Sequence, residues 1–477
     1  MGLDKVYHRH GRVDLVPLPA DGPDDPLNWP SWRKHVVLFL VSFHAFLAIF
    51  SSAIIIPAYF NFAQEFDVSV TRASYLTAVH IVFLGVSPVL WGPLSARYGR
   101  RPLYLFSSIA SAACTLGGAY CRSYGTLMTT RVFQAICVSP PLAIGAATVK
   151  EVFFQHEIGQ KMGVWTLLVT IGPPLGPLLG GFIVQNKGWH WLFYLLAILS
   201  LALFFGYLFF GPETLYMRPS RTPDNLPASG SSDTLTTPST GSGQTWSAYV
   251  RFRRIDPRPL RPAEFVRPFR MALRPPVLLC TIAYSVAFAY AGVLLTVLVP
   301  QFFGAKFGLD AAQVGLQFVA LVIGAVLGEQ VAGYGSDRLV RWRSAKAGGA
   351  REPEMRLPAS YPGFVLAAVG LVIWGVRLQQ AKEGRWNVTP DVGGGIAYFG
   401  LQLVTTPVYA YCLETYKEDA AAVATFVLVV RQVSYYYSKG SCSCFLFVDL
   451  AIAVMAGSSR GSPAAWTCFR RSSFLWA

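Results

Sequence analysis

The chain has 477 residues, 53% of them hydrophobic and only 14% charged, with a mean hydropathy of +0.42. Soluble domains carry about a quarter charged residues, so the composition excludes a soluble globular enzyme and marks a polytopic membrane protein. The formal net charge of +15 would suit nucleic acid, but the charges gather in loops between apolar runs, where they report topology and contact with anionic lipid.

The first thirty residues are polar and rich in Pro and Asp, with no cleavable signal sequence. Apolar stretches follow at 36–60, 74–94, 103–121, 127–149, 162–184 and 189–210. A second set lies at 276–300, 314–334, 361–376, 392–412 and 420–437. Most approach the ~20 residues that a spanning helix needs. A weaker stretch runs from Cys442 to Gly457 and contains Asp449. The expected fold class is therefore an all-α polytopic membrane protein of two pseudo-symmetric six-helix lobes, with the twelfth helix in doubt. The expected divisions are an N-terminal tail (1–35), a first lobe (36–212), a linker (213–275), a second lobe (276–437) and an aberrant C-terminal segment (438–477).

With the N-terminus in the cytoplasm, the inside segments hold 27 Lys and Arg and the outside loops 7. That asymmetry sets the orientation. The loop 377–391, with Arg377, Lys382 and Arg385, is the one outside segment that fits poorly. It also holds Asn387-Val388-Thr389, the one N-glycosylation acceptor placed outside. In the linker, Pro219 to Gln244 is rich in Ser, Thr, Pro and Gly, which predicts disorder. Arg251 to Pro276 interleaves Arg and Pro with Phe252, Phe265 and Phe269, which reads as a segment lying on the inner leaflet.

Within the fifth stretch, Met162 to Val184 holds three prolines and five glycines. They would ruin a soluble helix of that length, but neighbouring helices in a bilayer can satisfy the freed backbone groups. Gly172, Gly176, Gly180 and Gly181, with Pro173 and Pro177 between them, strip one helix face so that another helix can approach. After the second stretch comes Gly92-Pro93-Leu94-Ser95-Ala96-Arg97-Tyr98-Gly99-Arg100-Arg101. Gly333-Tyr334-Gly335-Ser336-Asp337-Arg338 occupies the corresponding place in the second half. The glycines Gly92 and Gly99 allow tight turns and close approach. The arginines Arg97, Arg100 and Arg101 can clamp helix C-termini and carboxylates of the neighbouring lobe.

Ionisable residues inside apolar stretches are functional candidates by default. Arg131, three residues before Gln134, lies in the fourth stretch. Two readings stand for it: a buried coupling cation, or an arginine snorkelling to the outer interface. Glu329 in the eighth stretch suits a proton or cation site or an intracellular gate, and Arg431 lies in the eleventh. The histidines His44 and His80 are best read as satisfied interhelical hydrogen-bond partners. Cysteine usage implies neither disulfides nor metal: Cys114, Cys137, Cys280 and Cys412 fall inside apolar stretches, and Cys442 and Cys444 lack His partners. No cofactor signature is present, and no Walker loop, H-E-x-x-H or G-x-S-x-G motif suggests an enzyme.

These motifs resemble those of the major facilitator superfamily. The 172–181 segment is similar to the G-x-x-x-G-P-x-x-G-G signature on span five of its antiporters, and 92–101 to its G-x-L-x-D-R-x-G-R-R loop, with Ala96 in place of the Asp. Arg131 and Gln134 resemble the Arg and Gln-Gly motif of span four, with Ala135 replacing Gly. Asp25-Pro26-Leu27-Asn28-Trp29-Pro30, Gly211-Pro212-Glu213-Thr214 and Glu354-Met355-Arg356-Leu357-Pro358 resemble segments of fungal twelve-span drug:proton antiporters. The resemblance covers about residues 24–436.

It implies a secondary transporter that exports a small hydrophobic or amphipathic molecule (a drug, toxin or secondary metabolite) against protons by alternating access. It adds Arg131, Gln134, Asp337 and Arg338 as site residues, beside Glu329 and Arg431, which stand out as ionisable groups inside apolar stretches. The carboxylate that many such antiporters carry in span one is absent from Val36–Phe60. The rivals are uptake of a cationic nutrient such as a polyamine, and a non-functional product with a damaged C-terminus. The expected partners are a small-molecule substrate, protons and the lipid bilayer, with no nucleic acid. A monomer in the plasma membrane is expected, the vacuolar membrane being the alternative.

From Ser434 onward the apolar periodicity fails, and three of the eight cysteines fall in the last 36 residues. That pattern predicts a misread or retained non-coding segment. For the orientation, an epitope tag inserted at Gly241 should stay hidden from antibody in intact cells and become visible on permeabilisation. Labelling of intact cells would reverse the topology.

Overall fold

The computed structural model describes residues 25–216, 260–348, 352–416 and 419–440, and the regular structure among them is helical throughout. Among the described residues, ten helical stretches are long and apolar enough to cross a membrane. They are α1 (Ser31–Glu65), α2 (Val70–Tyr98), α3 (Arg100–Ala119), α4 (Tyr124–Val152), α5 (Lys161–Lys187), α6 (His190–Phe210), α7 (Pro275–Gly304), α8 (Ala311–Lys346), α9 (Pro353–Gln380) and α10 (Thr389–Thr415). The eleventh helix, α11, runs Ala420–Gly440, its apolar part being Ala420–Ser434. It continues past Ser434, from which point the sequence loses its apolar periodicity. The doubtful twelfth stretch, Cys442–Gly457, and the rest of the tail lie outside the described residues, as does most of the linker.

Local chemistry sets the helix ends. The Ser69 hydroxyl accepts from Arg72 N (3.1 Å) at the start of α2, and Ser123 accepts from Thr126 N (3.3 Å) at the start of α4. Such caps satisfy first-turn donors that have no partner within the helix. Asp310 and Gln313 form a reciprocal capping box before α8. Gly99 has φ +94°, which lets α2 stop and α3 start within one residue. By contrast, Gly92 sits inside a helical segment, and a side chain there would meet nothing within 4 Å. The tight-turn and close-approach role expected for Gly92 is therefore not observed.

Buried apolar side chains form two clusters. One is drawn almost wholly from α1–α6 and includes Phe50, Phe62, Leu192 and Phe193. The other comes from α7–α11 and includes Phe303, Phe318, Val404 and Val423. The glycine face of α5 divides its contacts between them. Gly172, Gly176 and Gly180 lie against α1. A Cβ on Gly176 would stand 2.9 Å from both Ala53 Cβ and Ile54 N, and one on Gly180 would collide with the Ile54 carbonyl. Gly181 faces the other way, onto the Ala311 carbonyl and Gly315 of α8.

Small residues thus set the spacing of α1 and α5 within the first lobe and the approach of the two lobes. A second small-residue seam joins α9 and α10, where Gly363 and Gly370 meet Gly400 and Ala397.

This arrangement separates two substitutions. Gly176→Leu should wedge α1 from α5 and lower the melting temperature of the purified protein by several degrees, since overpacking costs roughly 1–3 kcal/mol. Gly181→Leu should leave that temperature nearly unchanged while loosening the α5–α8 contact, read as increased labelling of a cysteine at Ala312. Equal thermal loss in both would contradict the division of the glycine face.

Candidate functional site

Polar side chains inside the bundle gather at three places. The first is a cluster behind the wall of the first lobe. Arg131 is fully buried, which excludes the snorkelling reading. It donates from Nη1 to Gln134 Oε1 (2.7 Å) and from Nη2 to the Ser51 carbonyl (2.9 Å). Gln134 in turn donates to Thr115 Oγ1 (2.8 Å), and His80 donates from Nδ1 to the Arg131 carbonyl (3.1 Å) while meeting Ser51 Oγ at 3.2 Å. One network therefore ties α1, α2, α3 and α4 together. A buried guanidinium without such partners would cost several kcal/mol. The other histidine, His44, lies between Tyr207 Oη (3.3 Å) and Ser107 Oγ (3.2 Å). Both histidines thus have the interhelical partners expected of them.

The second place is the end of the bundle that carries the 92–101 loop, here termed the basic end. Arg100 pairs with Glu151 of α4 (2.9 Å) and hydrogen-bonds Ser95, and Arg101 donates to the Leu208 carbonyl of α6 (2.9 Å). Both of these contacts lie within the first lobe, where α4 and α6 end directly beside the loop, and the Arg101 contact is with a helix C-terminus as expected. Arg97 reaches outside the first six spans, forming an ion pair with Glu264 of the linker's described end.

The Gly-Pro-Glu-Thr segment locks the same corner. Glu213 accepts from the backbone N–H groups of Arg100 (2.9 Å), Arg101 (3.1 Å) and Leu215 (2.9 Å), and Thr214 donates to Glu151 (3.0 Å). A carboxylate here caps the N-terminus of α3 from another part of the chain. Burial pushes the Glu213 carboxyl above its usual range, opposed by those three N–H donors and the Arg100 charge.

The second half repeats this geometry. Arg356 pairs with Glu414 of α10 (3.0 Å) and meets Ser336 Oγ at 3.3 Å, as Arg100 meets Glu151 and Ser95. Arg356 also pairs with Asp337 (3.0 Å), whose counterpart in the first half is Ala96. Arg338 is exposed and makes no hydrogen bond or ion pair among the described residues, so the structure does not bring it to the site.

The third place is a cavity of about 70 Å³ between the two apolar clusters. Its walls come from α1, α2 and α5 on one side and from α7, α10 and α11 on the other. Ser52, Thr77 and Pro173 face Tyr284, Phe288, Gln402 and Arg431. Within α7, the segment Phe288–Leu294 winds as a π-helix, a distortion frequent at functional sites. The Gly292 carbonyl there accepts from Thr296 Oγ1 (2.7 Å) and Tyr398 Oη (3.1 Å). Arg431 donates from Nη1 to Tyr284 Oη (2.6 Å) and lies 4.4 Å from the Phe288 ring centroid.

Glu329 is buried between α8 and α10, accepting from Thr406 Oγ1 (3.0 Å), next to the cavity-lining Thr405. It makes no ion pair among the described residues. The sequence analysis missed the aromatic and amide lining, namely Tyr284, Phe288, Tyr398, Gln402 and Gln432. The signal available was Gln402 and Gln432, two amides set in apolar stretches.

A bundle of paired lobes around a shared, partly polar cavity is the architecture of a secondary transporter. The chain belongs to the major facilitator superfamily, whose family pattern matches residues 41–435. It is 29% identical over 424 residues to the MFS-type transporter penM of Penicillium rubens, covering 87% of this chain and 79% of that protein. It is 27% identical over 426 residues to the efflux pump radE of Floropilus chiversii, covering 87% and 75%. A solved D-xylose–proton symporter shares the fold with a TM-score of 0.56 at 13% identity, over 85% of this chain and 88% of that one. The protein is thus a multi-pass integral membrane transporter of small molecules rather than an enzyme.

Because Arg131 stands one layer behind the cavity, Arg131→Ala should cut gradient-driven flux by roughly ten-fold, about 1.4 kcal/mol, with substrate affinity changed far less. A variant with unchanged flux would reduce Arg131 to a packing residue.

Proposed function

We propose that this transporter is a proton-coupled exporter of a small amphipathic molecule, working by alternating access with its basic end in the cytoplasm. The observation that carries the reading is the inter-lobe cavity with cross-lobe contacts on either side of it. At one end, Gly181 meets Ala311, and Ala312 N donates to Gln185 Oε1 (3.0 Å). Toward the basic end, the second lobe closes through α11, where Gly85 of α2 packs against Gln432, and Arg97 holds Glu264. A cavity of about 70 Å³ holds a few waters but no drug-sized ligand, for which sites run to about 300–1,000 Å³. On this reading, loading requires one of the two ends to part.

Export is supported by relatives named as efflux pumps, among them radE and a probable efflux pump, mfs2, of Aspergillus flavus. Uptake of a polyamine fits poorly, because among the described residues no acidic side chain lines the cavity. For the proton, Glu329 is the strongest carboxylate. It is buried in the second lobe, its contact is a neutral hydroxyl, and it adjoins the cavity wall on α10. Asp337 is committed to Arg356, and the Arg131 network contains no acid.

The test is flux in proteoliposomes of the purified full chain, with an imposed pH gradient and an amphipathic fluorophore. Antiport predicts uphill accumulation in the compartment from which protons leave, abolished by a protonophore. Glu329→Gln should keep downhill exchange and lose the response to pH. Co-movement of fluorophore and protons would indicate a symporter, and absence of flux in either direction would favour the non-functional product.

A further inference from the structure

We infer that the cavity selects an amphipathic anion, a carboxylate or comparably acidic group attached to an aromatic or aliphatic body, and that Arg431 is the residue that recognises it. The inference rests on reading the inter-lobe cavity as the substrate site, and adds the chemical class of what enters it.

Among the described residues, Arg431 is the single charged one lining the cavity. Its guanidinium is always protonated, and a charge at this depth in a bilayer is costly unless it is paired or faces water. Among the described residues it forms no ion pair. Its contacts are Tyr284 Oη, which accepts from Nη1, and the faces of Phe288 and Tyr284, 4.4 Å and 5.7 Å from the guanidinium carbon. Those contacts occupy one terminal nitrogen and one face. The Nε atom is buried and has no hydrogen-bond partner, and Nη2 has none among the described residues. The Nε–Nη2 edge is one of the two forks with which arginine binds a carboxylate through parallel hydrogen bonds. That edge is left open.

A second observation points the same way. Gln402 and Gln432 both line the cavity and are more than nine-tenths buried, and both carry an Oε1 atom without a hydrogen-bond partner. Neither amide makes any side-chain hydrogen bond among the described residues. Buried amides are rarely left so: each Nε2 can donate to a bound anion, and each Oε1 can accept from a hydroxyl or N–H elsewhere on the same molecule. Gln432 is the neighbour of Arg431 on α11, and Gln402 comes from α10.

The opposite wall is mostly apolar, with Ile49, Ala53, Ile81, Leu84 and Val169 beside the hydroxyls of Ser52, Thr77 and Thr170, and offers a surface for the body of the molecule. A cationic substrate would meet an uncompensated positive charge in a low-dielectric space. A neutral one would leave the guanidinium fork unmatched.

The experiment compares three probes of equal shape on the detergent-purified full chain, read by quenching of intrinsic tryptophan fluorescence: 1-naphthylacetate, 1-naphthylacetamide and 1-naphthylethylammonium. The wild type should bind the carboxylate about ten- to hundred-fold more tightly than the amide, the range of a hydrogen bond to a charged group, and the ammonium most weakly. Arg431→Gln should erase that preference while retaining affinity for the amide, and Arg431→Lys should restore part of it.

Equal affinity for carboxylate and amide, tighter binding of the ammonium, or binding of none of the three below millimolar concentration would overturn the inference. The wild-type comparison stands even if a variant fails to fold. The readout needs no gradient, so carboxylate preference without pH-driven flux would sink the exporter reading alone, and pH-driven flux of a neutral probe without carboxylate preference would sink this inference alone.

Discussion

The controlling constraint is that a bilayer offers no water to a buried polar group, so each charge inside the bundle must be paired, hydrogen-bonded or turned toward a cavity. Arg131 meets it through Gln134 and the Ser51 carbonyl, on a scaffold extended by His80 and Thr115. Arg431 meets it differently, by stacking on Phe288 and facing the cavity. The two arginines therefore do different jobs. One braces a lobe from behind, and the other lies on the surface that a substrate would touch.

The same constraint explains the ends of the helices. At the basic end, α3, α4 and α6 meet where Glu213 caps a helix N-terminus and Glu151 receives Arg100. The second half reproduces this corner with Arg356 and Glu414. The repeat is broken at one position. Asp337 stands beside Arg356, whereas Ala96 offers the first half no carboxylate. The Arg97 side chain, left without an acid on its own helix at that point, takes one from the linker at Glu264. The linker thereby becomes part of the charge balance of the bundle rather than a passive tether.

Much of this was legible in the sequence because bilayer thickness fixes span length and apolar runs reveal it. Eleven stretches were read, and ten long spans and a shorter eleventh are present. The glycines of α5 were also legible, since a stripe of Gly172, Gly176 and Gly180 has little use except close packing. Which helix they pack on was not, because small residues specify an approach distance and no partner. Gly92 shows the reverse limit: it belongs to a recognisable motif, yet its surroundings are open. The cavity lining was least legible. Tyr284, Phe288 and Tyr398 are ordinary membrane-span residues; the arrival of α11 sets Arg431 against Tyr284 and Phe288, and Tyr398 meets the π-helical turn at the Gly292 carbonyl. The seam between α9 and α10 was equally hidden, although Gly393, Gly394 and Gly395 stand in an uninterrupted run.

The central claim is that the two lobes rock about the cavity, so that the Gly181–Ala311 contact and the Arg97–Glu264 contact are not both closed at every stage. The most direct measurement is spin-label distance spectroscopy on two pairs in the reconstituted protein, one joining Gln185 to Ala312 and one joining Tyr98 to Phe265. Across a change of pH or addition of a transported compound, the account predicts opposite shifts, one distance distribution lengthening as the other shortens. Distances that stay fixed at both ends, or lengthen together, would contradict it.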